Sequence, residues 1–186
     1  MTNIILKSAG RDETWGKLVK VTDKIISDHL NVKGLVQTTS YEFAAYFCEL
    51  SLNGQRLITH TNANERDQCI KNFKESPLPL VMVSPSLTRG FDGKDDLCRF
   101  IVVTKIPYPN PQDPQISRRL REPGGQIWYT HNAIRTIIQE TSRGNRHKHD
   151  YCETYILDME FGKIFSAYKG IFPKWWKAAL NFENDK

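Results

Sequence analysis

The sequence has few of the features that usually announce a chemistry. Its four cysteines, Cys48, Cys69, Cys98 and Cys152, stand far apart with no C-x-x-C pair. That spacing argues against a zinc ribbon, a cysteine-ligated cluster or a disulfide framework, and points to a reducing, intracellular setting, read as cytoplasmic. No apolar run approaches the roughly 18 residues a membrane helix needs, so no membrane partner is expected. The opening MTNIILKSAGRDE lacks a basic stretch leading into an apolar one, so no secretory leader is expected. G-x-S-x-G is absent, which leaves stand-alone hydrolase chemistry without support. G-x-x-x-x-G-K-[ST] is absent too, and with it the backbone cradle and lysine that hold β- and γ-phosphates. There is no Asp-Glu-x-His box to hold magnesium, no internal repeat and no low-complexity segment.

What is present is a chain of 186 residues, 39% apolar and 25% charged, which suits one packed domain. Lysine and arginine number 26 against 21 acidic residues, a net charge of +5. Much of the surplus is local. Between Gln115 and Asp150 stand seven basic residues (Arg118, Arg119, Arg121, Arg135, Arg143, Arg146 and Lys148) and three acidic ones. A localised positive field suits a phosphate-bearing partner, and equally a solvated basic helix.

Periodicity predicts an amphipathic helix over residues 12–30, a strand over 34–40, a helix over 41–50 and a strand over 55–60. A helix over 64–73 follows, then the uninterrupted apolar strand 80–84, the kind buried on both faces of a parallel sheet. Residues 100–105 form another such strand, and four prolines between 107 and 114 an irregular connector. A long helix over 128–146, a strand over 151–158 and a helix over 175–180 complete the pattern. Strands alternating with helices imply an α/β fold, a mainly parallel central sheet with helices on both faces, whose strand C-terminal ends collect the loops on one edge. The expected division is an N-terminal segment 1–11, a domain 12–180 and a tail 181–186.

Two segments carry chemistry. Gln139, Arg143, Arg146 and Asp150 stand at i, i+4, i+7 and i+11, one stripe if the helix persists. An amide, two guanidiniums and a carboxylate make a good anion clamp, because arginine matches phosphate oxygens in bidentate geometry. Asp150 can hold one arginine in place. A salt-bridged surface reads the same way for this segment in isolation. The second segment, Ser84-Pro-Ser-Leu-Thr88-Arg89-Gly90-Phe91-Asp92, follows the apolar strand directly. It offers a hydroxyl, a closely approaching backbone and a carboxylate, or simply a turn.

In order along the chain stand Thr88-x-Gly90-Phe-Asp92, then Phe100-Ile-Val-Val-Thr-Lys-Ile-Pro107-Tyr108-Pro109, then Gln139-x-x-Ser-Arg143-x-x-Arg146-x-x-x-Asp150. This ordered set resembles the second, RecA-like motor domain of superfamily 2 helicases of the XPD/DinG type. The resemblance runs from about Trp15 to Leu180 and includes Gly34-Leu-Val-Gln-Thr-Thr-Ser-Tyr41, which looks like that family's motif IV. Residues 84–92 correspond to motif V and 139–150 to motif VI.

The resemblance implies a single RecA-like domain that binds ATP with magnesium jointly with a first motor domain carrying the Walker motifs, and that tracks single-stranded DNA. It implies that Arg146 is the arginine finger, with Arg143 and Gln139 supporting the same phosphate site. Gly90 and Asp92 would couple the nucleotide site to the strand-binding face. Thr39, Ser40 and Thr88 would contact the strand backbone, and Tyr108 would shape the rim of its cleft. Ser142 replaces the family's glycine before the first arginine, Asn145 its aliphatic residue before the second, and Arg89 its motif V glutamate. The family's iron–sulfur cysteines would lie in the first half, so no cluster is expected here. A free-standing single-strand-binding or helicase-regulating module is the alternative.

His147-x-His149-Asp150 offers metal-ligand types at a helix end, but no metal is expected there. His60 reads as a hydrogen-bonded structural histidine. Trp175-Trp176 reads as a base-stacking pair or, more simply, as one tryptophan packed on the core.

Overall fold

The computed structural model describes residues 2–6, 15–86 and 91–182. In chain order they form β1 (Thr2–Leu6), α1 (Trp15–Asp28), β2 (Gly34–Gln37), α2 (Tyr41–Leu50), β3 (Leu57–Thr59), α3 (Arg66–Glu75) and β4 (Val81–Ser84). Then follow β5 (Phe100–Val103), α4 (Pro114–Arg121), α5 (Gly125–Thr141), β6 (Cys152–Ile156), α6 (Glu160–Ala167), α7 (Lys174–Ala178) and β7 (Leu180–Phe182). One sheet takes in all seven strands in the order β3-β4-β2-β5-β6-β1-β7. Every pairing is parallel, which confirms the expected α/β fold.

The central strands alternate between two apolar layers, as a strand's period of two requires. Leu35, Met82, Ile101, Val103, Cys152 and Ile156 face a core shared with α3, α5, α6 and Trp176. Val36, Val81, Val83, Phe100, Val102 and Tyr155 face a second core shared with α1 and α2. Helices therefore cover both faces, and the loops at the strand C-terminal ends are left open to carry polar groups.

Several elements differ from the sequence reading. The Pro-rich connector ends in α4: Asp113 caps it by accepting from the Gln115 and Ile116 amides at 2.8 and 3.3 Å, and Pro114 sits at its first position. Helix α5 starts at Gly125, before Trp128, because Gly124 takes φ +78° and turns the chain into it. It ends at Thr141, short of Arg146. Strand β3 is shortened by a 3-10 turn over Gly54–Arg56. Helix α7 stops at Ala178, and Leu180–Phe182 joins the sheet beside β1. Strands β1 and β7 thus lie on either side of the 12–180 span. Among the described residues no helix is long and apolar enough to cross a membrane.

Buried cations tie the strand N-terminal end together. The Arg56 guanidinium donates to the carbonyls of Pro79 (2.9 Å), Ile26 (3.0 Å), His29 (2.9 Å) and Val32 (2.9 Å). Lys33 donates to the carbonyls of Phe73 (2.7 Å) and Ser76 (2.5 Å). The last carbonyls of α1 and α3 lack helical partners, and these charges satisfy them. Arg56→Met is expected to lower stability by about 3 kcal/mol in urea denaturation, since a buried charged donor leaves several acceptors unpaired. Arg56→Lys should recover only part of this loss, because one ammonium cannot span four carbonyls.

Candidate functional site

At the strand N-terminal end, just ahead of β6, the chain after α5 turns instead of continuing as a helix. Ser142 closes α5 through Oγ, which donates to the Ile138 carbonyl at 2.5 Å. Gly144 then presses onto Cys152, whose side chain fills the place a Cβ would take. The turn is fastened by Asp150, whose side chain is fully buried. Its carboxylate accepts from the amides of Arg146 (3.1 Å), Asp95 (3.3 Å) and Tyr151 (3.0 Å) and from Arg99 Nη1 (2.9 Å). Burial alone would push this carboxyl up, but these donors outweigh it and hold it below the usual carboxylate range.

The four residues expected on one helical stripe are therefore separated, because the helix stops at Thr141. Arg143 turns inward. It is buried, donates from Nη1 to the Phe91 carbonyl at 3.2 Å, and leaves Nε without a partner among the described residues. Arg146 turns outward and donates from Nε to Asp92 Oδ1 at 2.8 Å. Asp150 does hold an arginine, but it is Arg99, which also lies 4.2 Å over the Tyr151 ring. Gln139 is exposed and opens to a different cleft from Arg146.

The Arg146–Asp92 pair is 44% and 62% exposed at its side chains. A pair this open contributes at most about 1 kcal/mol, so Arg146 can leave Asp92 for a stronger anion at little cost. A cleft of about 340 Å³ lies beside it, lined by Ser142, Asn145, Arg146 and Trp175. The two tryptophans divide their work. Trp176 is fully buried and donates to Thr141 Oγ1 at 2.8 Å, which fixes α7 against the end of α5. Trp175 stays 53% exposed beside Arg146.

A second cleft, of about 420 Å³, holds Gln37, Thr39, Lys105, Tyr108, Gln139 and Glu140 among its walls. Thr39 is exposed. Ser40 caps α2, its Oγ accepting from the Phe43 amide at 3.1 Å. Tyr108 stacks on Tyr129 at 4.9 Å and donates to Glu160 at 3.4 Å. Burial and the neighbouring Glu160 push its hydroxyl up to about 12, so it stays protonated. Thr88 and Gly90 lie outside the described residues.

His60 is buried between Ser84 Oγ (2.7 Å) and the Asn62 carbonyl (2.8 Å), a structural role. His147 turns to Asp95 Oδ1 at 2.7 Å, and with Asp150 these residues place one ligand atom each within 4.8 Å of one another. Asp150 is already committed to four donors there, so the cluster has the chemistry of a charged turn.

The helicase C-terminal domain model matches residues 26–179. This chain belongs to that family. Among its relatives, the ATP-dependent DNA helicase CHL1 of Saccharomyces cerevisiae strain YJM789 is 21% identical over 174 residues, covering 78% of this chain and 20% of CHL1. The regulator of telomere elongation helicase 1 homolog of Drosophila willistoni is 30% identical over 112 residues, 54% of this chain and 11% of that protein. The helicase domain thus spans a fifth or less of the curated relatives it matches. Its fold is that of XPD in the apo state, with a TM-score of 0.64 and 17% identity over 98% of this chain and 39% of that one.

Two residues of the helicase domain were passed over in the sequence reading. Gln37 is buried in the second cleft, yet neither end of its amide has a hydrogen-bond partner among the described residues. Glu140 is also buried, and burial lifts its carboxyl to about 7 against the downward pull of Arg143. Because the folded state keeps this proton to a higher pH than the unfolded chain, stability falls as pH rises from the ordinary glutamate range to about 7. Glu140→Gln should remove that loss. In urea titrations the variant is expected to gain on the parent by on the order of 2 kcal/mol between pH 4 and pH 8.

Proposed function

We propose that this chain is the second motor domain of an ATP-dependent DNA helicase, acting with a first domain that carries the Walker motifs. The observation that carries this reading is the Arg146–Asp92 pair. It joins the segment read as motif VI to the one read as motif V through an exposed, easily released guanidinium. The family membership and the name of CHL1 as an ATP-dependent DNA helicase support it.

The residues fit an outer phosphate and nothing more of the nucleotide. The Arg146 Nη atoms have no partner among the described residues, and the cleft beside them is open to solvent. Magnesium ATP, held by the Walker-bearing domain, would supply the phosphoanhydride that is cleaved. Arg146 would exchange Asp92 for the terminal phosphate and stabilise the charge that develops on its oxygens. Arg143 would act indirectly. Its bond to the Phe91 carbonyl positions the segment that carries Asp92. Gln139 faces the second cleft, so its support of the phosphate would be exerted from the end of α5.

Single-stranded DNA would follow the second cleft. Thr39 and Tyr108 would offer a hydroxyl and an aromatic edge to it, and Ser40 would offer the N-terminal end of α2, since its hydroxyl is already used as the cap. Thr88 would add a further backbone contact. Asp92, bonded to Arg146, and Gly90 would relay between this track and the nucleotide.

In the completed motor, Arg146→Ala is expected to cut ATP turnover about 10³-fold or more while leaving strand affinity within about twofold. Steady-state hydrolysis and fluorescence anisotropy read the two quantities. Unchanged turnover would reject the arginine's role. For the chain itself, single-strand affinity should fall steeply with salt, as neutralised phosphates require.

A further inference from the structure

The second cleft contains a group that backbone tracking does not use. Gln37 is 93% buried, read from its 7% exposure, and neither its Nε2 nor its Oε1 is hydrogen-bonded to any described residue. Burying an amide without partners costs free energy at both ends, and native proteins seldom tolerate it without a reason. Sequence and fold explain how the side chain comes to be there. Leu35 and Gln37 are on the same face of β2, toward α5; Leu35 meets the apolar core, and Gln37, two residues on, emerges at the strand's C-terminal end. There it lines the cleft with Thr38, Ser84, Tyr108, Thr136 and Glu140.

These neighbours do not compete for the amide. The Ser84 hydroxyl is taken by His60 and the Ser86 amide, Thr136 donates to the Asn132 carbonyl, and Thr38 donates to the Ser40 carbonyl. Glu140 is buried, with Arg143 as the charge that acts on its carboxyl. At its wall the cleft therefore holds an amide donor and acceptor, unpartnered among the described residues and both buried from solvent, together with a carboxyl group and an aromatic ring. At about 420 Å³ it has far more room than one bridging water needs, and it falls in the size range of small-ligand sites. Exposed Lys105 at the same cleft suits a ligand attached to a phosphate.

We infer that this cleft receives one unstacked nucleobase of the tracked single strand, whose hydrogen-bonding edge is met by the Gln37 carboxamide and by Glu140. The inference rests on the strand-binding reading above and adds to it a base-reading subsite. A carboxamide pairs with a neighbouring donor and acceptor on a base, thymine's N3–H and O4 included. The discrimination comes from Glu140 beside it, whose carboxyl oxygen accepts from the exocyclic amine that adenine and cytosine carry and thymine lacks. The preferred bases are therefore adenine and cytosine over thymine. Tyr108, held by its stack on Tyr129, supplies the face against which the base lies.

The test is anisotropy titration of the chain with labelled oligo-dA, oligo-dC and oligo-dT of equal length, repeated over a range of salt. The parent chain should bind oligo-dA and oligo-dC about tenfold more tightly than oligo-dT. Gln37→Leu should reduce that ratio to below twofold, leave the salt slope unchanged and raise the urea midpoint, because it removes an unsatisfied buried amide. Thr136→Phe, which fills the cleft and keeps Gln37, should abolish the ratio as well. Equal binding of all three oligomers by the parent chain, or a ratio that survives both variants, overturns the base subsite and leaves the strand track standing. No binding to any oligomer at low salt overturns the strand track and the subsite with it.

Discussion

The buried carboxylate of Asp150 is the interaction on which the functional edge depends. It gathers the amides of Arg146, Asp95 and Tyr151 and the guanidinium of Arg99 into one knot. Three separate pieces of chain meet there: the turn after α5, the segment before β5, and the start of β6. Without that charge these three amides would lose a charged acceptor in a partly buried setting. With it, Arg143 is aimed at Phe91 and Arg146 at Asp92.

The two ends of the sheet thus carry clefts of different character. One is bounded by Arg146 and Trp175 and is open and cationic; the other is bounded by Gln37, Tyr108 and Glu140 and is deeper and polar. At the same N-terminal end, on the β3–β4–β2 side of the sheet, Arg56 and Lys33 spend their charge on helix carbonyls, which makes that part a structural clamp.

Much of the fold was legible because the central strands are continuous apolar runs, and Val81–Ser84 and Phe100–Val103 appear where those runs lie. The edge strands were harder to see. Strand β1 pairs only with β6 and β7, from the far end of the chain, so its neighbours in sequence say little about it. Helix α4 was hidden by prolines that, on closer reading, include a capping Asp113-Pro114 start. The site was legible as residue types but not as geometry. The spacing of Gln139, Arg143, Arg146 and Asp150 fits a helix, yet burial of Asp150 and the close approach of Gly144 to Cys152 favour a turn. The unsatisfied Gln37 gives no sign in sequence, because being unpaired is a property of its surroundings.

Amide hydrogen exchange of the chain and of its Asp150→Asn variant tests the central claim most directly. If Asp150 fastens the turn, the amides of Asp95, Arg146 and Tyr151 lose protection in the variant by about tenfold or more, because each loses a charged acceptor. The amides of β2, β4 and β5 should keep theirs. Unchanged protection at Arg146 and Tyr151, or an equal loss throughout the sheet, would contradict the account: the turn would then be held by something other than this carboxylate.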